Sequence, residues 1–266
     1  MKKITKGYMF DLDGTLYLED QLLPGAIEIL QYLIKKEIPF CMMTNNSSLS
    51  RSDYEKKLNA LKLPVSSDQI LTSAVATLRY LKNLNIKNIY LLGTPSIEDE
   101  FEQAGFILDR SAEDTEAVVL TFDKTINFNK MCIAHRLLMD KDVSYFATHP
   151  DIVCPMKEGT IPDCGAMIAL FESSTGRLPK IIGKPEATMV QMASELLSIP
   201  VENLMIVGDR IYTDMQMGFD AGCQTALVLS GESTLESFEK APRKPDLLVD
   251  NVACLLELID DRTGAT

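Results

Sequence analysis

The sequence predicts an α/β protein with a parallel sheet and a second, smaller α/β unit inserted into the first. Three observations predict it. Short apolar runs alternate with amphipathic helical patterns, the order that crossover helices on a parallel sheet impose. The first run and the last three end in residues capable of chemistry, at the carboxyl ends of strands where open α/β sheets bind ligands. Between them lies a series of runs that ends mostly in turns and Gly/Pro loops, as a separate unit would.

Gly7 to Asp11 reads as the first strand, running into Asp11-Leu12-Asp13-Gly14-Thr15. Strand periodicity carried through this segment points Asp11 and Asp13 to one side and Leu12 to the other. Two adjacent anions repel, so a cation is expected to join them, and at a buried strand end a hard metal ion is the usual one. A surface Asp-Gly turn is the competing reading. Pro24 to Lys36 reads as a helix, with Pro24 near its first turn and Ala26, Ile29, Leu30 and Leu33 on one stripe. Pro39 to Thr44 is the second strand. It ends in Thr44-Asn45-Asn46-Ser47-Ser48, hydroxyl and amide groups that suit an oxyanion, or equally a helix cap and turn. Ser52-Asp53-Tyr54-Glu55 reads as a capping box before a helix that aligns Tyr54, Leu58 and Leu61.

The middle series supplies strands at 89–92, 117–122 and 144–148 and helices at 97–104, 128–139 and 165–175. Lys180 to Gly183, Leu204 to Gly208 and Thr225 to Leu229 give three more strands. Lys184, in Gly183-Lys184-Pro185, stands at a strand–helix junction, where it can neutralise carboxylates or hold a phosphoryl oxygen; an ordinary surface lysine is the alternative. Asp209 follows a fully apolar strand, and a buried Asp there is rarely unpaired. Asp214, five residues on, either caps the next helix or approaches the same charges.

The whole chain narrows the function. Its 266 residues allow one or two domains, and 26 basic against 38 acidic residues give a net charge of −12. That balance argues against a nucleic-acid polymer or an anionic membrane as a standing partner. No run approaches a membrane span or a signal peptide, and the six cysteines show no scaffold spacing, so reduced core thiols and a cytoplasmic protein are expected; a homo-oligomer is left open. Four carboxylates, Asp11, Asp13, Asp209 and Asp214, converge on one sheet edge against the single cation of Lys184. The remaining negative charge needs a further cation. Oxygen-only ligands with no His or Cys nearby imply magnesium, and phosphoryl transfer is the reaction that uses every part.

These segments, in this order, resemble the four motifs of the haloacid dehalogenase superfamily of phosphohydrolases. Asp11-x-Asp13-Gly14-Thr15 is similar to the first motif, Thr44 to the second, Lys184 to the third, and Gly208-Asp209-x-x-x-Thr213-Asp214 to the fourth. Ala147-Thr148-His149-Pro150-Asp151, Gly183-Lys184-Pro185, Thr44-Asn45-Asn46-Ser47 and Arg243-Lys244-Pro245-Asp246 resemble the para-nitrophenylphosphatase (NagD-like) branch, which usually carries Asn where His149 stands. The resemblance implies a Rossmann-like core over 1–79 and 181–266 and an α/β cap over 80–180. It implies that Asp11 attacks phosphorus, that Asp13 is the acid and then the base, and that magnesium is held by Asp11, the Asp13 carbonyl and Asp209 with Asp214 behind them. Thr44, Asn45 and Lys184 would hold the phosphoryl oxygens of a small phosphorylated metabolite. His149 and Asp163, in cap loops, are expected to face the cleft and contact the leaving group. A phosphomutase of the same superfamily and a phospho-Asp receiver-type signalling protein are the alternatives.

Overall fold

The structure, a computed structural model, describes residues 5–156 and 158–263. The chain divides into two compact units, Met1–Thr44, Tyr54–Leu71 and Lys184–Thr266 in one, Asn45–Asp53 and Thr72–Gly183 in the other.

The first unit is built on a six-stranded sheet in the order Leu247–Val249, Gln224–Val228, Leu204–Gly208, Gly7–Asp11, Phe40–Thr44, Ile70–Thr72. The pairs from Leu247–Val249 across to Phe40–Thr44 are parallel. The four central strands are buried along their whole length, which explains why they read as unbroken apolar runs: both faces are covered. From Gly7–Asp11 the chain first builds outward through Phe40–Thr44, then returns to build the other side from Leu204–Gly208. The strand order therefore reverses between Gly7–Asp11 and Leu204–Gly208, and the carboxyl ends at such a reversal are where open α/β sheets bind ligands. Asp11 and Asp209 stand at those two ends. The helix Ala26–Lys35 buries Ala26, Ile29, Leu30 and Leu33, the stripe its sequence predicts.

The second unit has its own parallel sheet, in the order Lys180–Ile181, Ser144–Ala147, Ala117–Leu120, Asn88–Leu92, Ile107–Leu108. Helices Phe128–Met139 and Cys164–Thr175 pack on it through Ala134, Leu138, Ile168 and Phe171. A hairpin, Val153–Met156 with Gly159–Pro162, adds a small antiparallel sheet.

Four sequence expectations are corrected. Lys180–Ile181 is shorter than predicted and pairs with Ser144–Ala147, so Lys184 does not follow a strand of the first sheet. The helix after Thr44 spans Arg51–Ala60 and starts at Ser50, whose Oγ accepts from the Asp53 amide at 3.3 Å; the capping box read at Ser52 lies two residues too late. A helix at Ser73–Asn83, capped by the Thr72 hydroxyl accepting from Val75, falls where no helix is predicted. Of the cysteines, Cys41, Cys164 and Cys223 are buried, whereas Cys132 is exposed and Cys154 and Cys254 are partly so; the expectation of mostly buried thiols does not hold.

Candidate active site

The strand Gly7–Asp11 ends with the Asp11 carboxylate, which is buried. Beyond it the chain turns back at Gly14 (φ +85°), with the Gly14 amide donating to the Tyr17 carbonyl at 2.8 Å. Gly14 and Gly231 both crowd the Asp209 carboxylate: a Cβ on either would strike Oδ2. The glycines thus make a slot that only a bare backbone can line. In it, Asp209 Oδ2 accepts from the Glu232 amide at 2.6 Å. Asp209 Oδ1, equally buried, has no hydrogen-bond partner.

Asp214 lies in a turn of π-helix, Ile211–Met215, and is fully buried. Such turns often occur at functional sites, because they re-aim one side chain out of register. Its Oδ2 accepts from the Arg210 amide at 3.2 Å, so it does not cap the helix Gln216–Ala221 that follows. Lys184 is 3% exposed and donates through Nζ to Asp11 Oδ1 and, at 2.7 Å, to Asp214 Oδ1. Asp11, Asp209 and Asp214 each bring a carboxylate oxygen within 4.8 Å of the other two.

Three buried carboxylates against one ammonium leave two excess negative charges. Burial, partly countered by Lys184, pushes the Asp11 carboxyl well up. Burial and then the neighbouring Asp214 push Asp209 up to about 7. Burial disfavours the charged Lys184, but Asp11 and Asp214 outweigh it and hold the ammonium above its usual range. Charges arranged like this are stable only with a further cation or proton. The partnerless Asp209 Oδ1 and an all-oxygen donor set fit a hard divalent ion.

Asp13 is not in that carboxylate group. The strand stops at Asp11, two residues before Asp13, so strand alternation does not by itself place the Asp13 side chain. Asp13 instead sits in the turn, its Oδ2 at 3.5 Å from the Tyr17 hydroxyl. Burial raises its carboxyl, with Lys57, Arg210 and Lys184 drawing it back. Thr44 is buried at the end of Phe40–Thr44, and Asn45 follows, its side-chain amide donating to Asp151 Oδ2 at 3.1 Å.

His149 and Asp163 belong to the second unit. Asp163 caps the helix Cys164–Thr175 by accepting from the Cys164 amide at 2.6 Å. Its Oδ1 is 3.5 Å from His149 Nε2, and Asp151 Oδ2 is 3.4 Å from Nδ1, yet neither ring nitrogen has a well-aligned hydrogen bond. His149 has no solvent-exposed surface. In this structure it is a side chain packed between two carboxylates, and the expectation that it faces an open cleft is not met. Asp163→Ala is expected to cost about 1–2 kcal/mol of stability through the lost cap, read by denaturant unfolding; an unchanged midpoint would show that the cap is dispensable.

Gly231, Glu232, Tyr17 and Lys57 also line the site and are not among the residues that the sequence pattern singles out. Ser230-Gly231 directly after the strand Gln224–Val228 was the available signal for the first two, since a Gly turn at a strand's carboxyl end marks the ligand edge.

A family model for haloacid dehalogenase-like hydrolases matches residues 8–107, and a second, HAD-hydrolase-like model matches residues 181–255. An acid sugar phosphatase of Staphylococcus haemolyticus is 30% identical over 241 residues, 90% of this chain and 91% of that protein. A dihydroxyacetone phosphatase of Corynebacterium glutamicum is 32% identical, covering 97% of this chain and 93% of its own. Among solved structures, a 4-nitrophenylphosphatase from Thermotoga maritima superposes with a TM-score of 0.90 at 42% identity, covering 95% of this chain and 97% of that one. NagD from E. coli K-12 does so with a TM-score of 0.87 at 30% identity, covering 94% and 98%.

Proposed function

The chain belongs to the haloacid dehalogenase-like hydrolases and is a phosphatase, and from that premise we propose that it hydrolyses small phosphorylated metabolites through an aspartyl-phosphate on Asp11, with magnesium as cofactor. Sugar phosphates are the favoured substrate class, from the names of the relatives. The observation that carries the reading is the buried group of Asp11, Asp209 and Asp214 with Lys184, at the point where the strand order reverses.

In the proposed reaction Asp11 attacks phosphorus while the bond to the leaving oxygen breaks, and Asp13 gives that oxygen its proton. Asp13, now a carboxylate, takes a proton from water as the water oxygen attacks the phosphorus of the aspartyl-phosphate. Phosphate leaves and Asp11 is restored. Lys184 holds a phosphoryl oxygen, and Thr44 and Asn45 offer donors to the others as negative charge shifts. Bound on Asp11, Asp209 and the Asp13 carbonyl, magnesium would supply positive charge to the phosphoryl group. The inserted second unit is assigned the choice of leaving group, through its loop 148–151. No helix among the described residues is long and apolar enough to cross a membrane, and the free thiols of Cys41, Cys132, Cys164 and Cys254 fit the proposed cytoplasmic setting.

The experiment is a panel of phosphomonoesters assayed with magnesium and with a chelator. Turnover of sugar phosphates that stops on chelation is expected; full turnover without divalent ion would overturn the cofactor assignment.

A pH profile of stability tests the charge reading separately. Asp209 has a folded pKa of about 7, above the ordinary carboxylate value. A carboxyl raised on folding binds more protons folded than unfolded, so the metal-free protein gains stability as pH falls from about 7 toward about 4. The raised Asp11 acts in the same sense. Magnesium is expected to stabilise the protein most near neutrality and to flatten this gain. A metal-free protein that loses stability steadily from pH 7 to 5 would contradict it.

A further inference from the structure

Tyr17 is fully buried, yet its phenol carries a polar end. It returns onto Asp13 through a tight loop: the Leu16 amide donates to the Leu12 carbonyl at 2.9 Å, the Gly14 amide to the Tyr17 carbonyl, and Asp13 and Tyr17 form a backbone bridge. The loop brings the Tyr17 hydroxyl to 3.5 Å from Asp13 Oδ2, a long contact that a small shift of either side chain would shorten. Lys57 from the helix Arg51–Ala60, which also attracts the Asp13 carboxylate directly, places its ammonium 4.3 Å from the centre of the Tyr17 ring. A half-buried cation over a phenol face is attractive and draws electron density from the ring, which strengthens the hydroxyl as a donor. Tyr54, one turn earlier on the same helix, is buried as well. Packing alone would be served by a phenylalanine; the hydroxyl aimed at Asp13 calls for a further role.

We propose that Tyr17, backed by Lys57, is a positioning residue for Asp13: it holds Oδ2 so that the other carboxyl oxygen meets the leaving group and then the water. The inference rests on the assignment of Asp13 as acid and base. Asp13 Oδ1 carries the proton to the leaving oxygen and receives one from water in the second step. Tyr17 keeps its own proton throughout.

A positioning role for a general acid has a signature that packing does not. A nitrophenolate departs without a proton, whereas the alkoxide of a sugar phosphate needs one. Tyr17→Phe keeps the ring, its packing and the Lys57 contact, and removes only the hydroxyl. With magnesium, kcat/KM for a sugar phosphate or dihydroxyacetone phosphate is expected to fall about tenfold, and for 4-nitrophenyl phosphate by no more than about threefold. KM should change little. The ratio kcat/KM reports steps up to departure of the leaving group, so a slow second step common to both substrates does not mask the difference. Lys57→Met is expected to shift the two substrates in the same direction, less strongly. Asp13→Asn serves as the control and should show a larger asymmetry than Tyr17→Phe. Equal losses on both substrates, or no loss on either, for Tyr17→Phe beside an asymmetric Asp13→Asn would overturn the role of Tyr17. A symmetric Asp13→Asn would overturn the acid–base assignment itself, and a wild-type protein inert on every phosphomonoester would overturn the phosphatase substrate reading instead.

Discussion

Asp11→Asn is expected to lower kcat on every phosphomonoester by at least about 10³-fold while leaving the fold intact. The amide keeps the volume of the carboxylate at the strand end but has no nucleophilic anion. It also removes one of the two anions that pair with Lys184. Because the metal-free site holds more carboxylate than cation, the variant should be no less stable than the parent. Retention of even a tenth of the activity would rule out covalent catalysis by Asp11, and a large loss of stability would show that Asp11 is needed by the fold.

Asp209→Asn separates function from stability more sharply. Its Oδ1 lacks a hydrogen-bond partner, its Oδ2 is fixed by the Glu232 amide, and Asp214 repels it. Removing that charge relieves an unfavourable burial, so the metal-free variant is expected to be more stable than the parent by on the order of 2 kcal/mol near neutral pH, and to unfold at a higher temperature. The same change removes a ligand for the cation. Activity at ordinary magnesium concentration should fall at least about 10²-fold, with partial recovery at high magnesium, and magnesium should no longer raise the unfolding temperature. A variant that is both active and magnesium-stabilised would place the metal elsewhere. One that is less stable without metal would show that the slot lined by Gly14 and Gly231 favours the anion.

Much of this site is legible in the sequence because its parts sit at strand ends. Asp11, Thr44 and Asp209 each follow an unbroken apolar run that is buried along its length, so the runs announce both the strands and their carboxyl edge. What stayed hidden depends on contacts far apart in sequence. A two-residue strand such as Lys180–Ile181 carries no periodicity, and only its pairing with Ser144–Ala147 assigns it to the second sheet. Strand periodicity ends at Asp11, so the placing of Asp13 depends on the turn at Gly14 and on Tyr17, which no apolar pattern marks. The approach of Lys57 to Tyr17 joins a turn to a helix forty residues on, and no local pattern marks it. Asp163 and Ser50 are helix caps, whose residue types also suit binding loops; the backbone amide each accepts from, Cys164 or Asp53, is what identifies them.

In the proposed reaction phosphorus is attacked twice, first by Asp11 and then by water. Each in-line attack inverts the configuration at phosphorus, so two attacks restore it. Hydrolysis of an isotopically chiral phosphorothioate monoester, in water enriched in the third oxygen isotope, reads this directly. Two attacks give net retention of configuration in the thiophosphate released. Net inversion would mean that water attacks the substrate in a single step, and the covalent role of Asp11 would be contradicted.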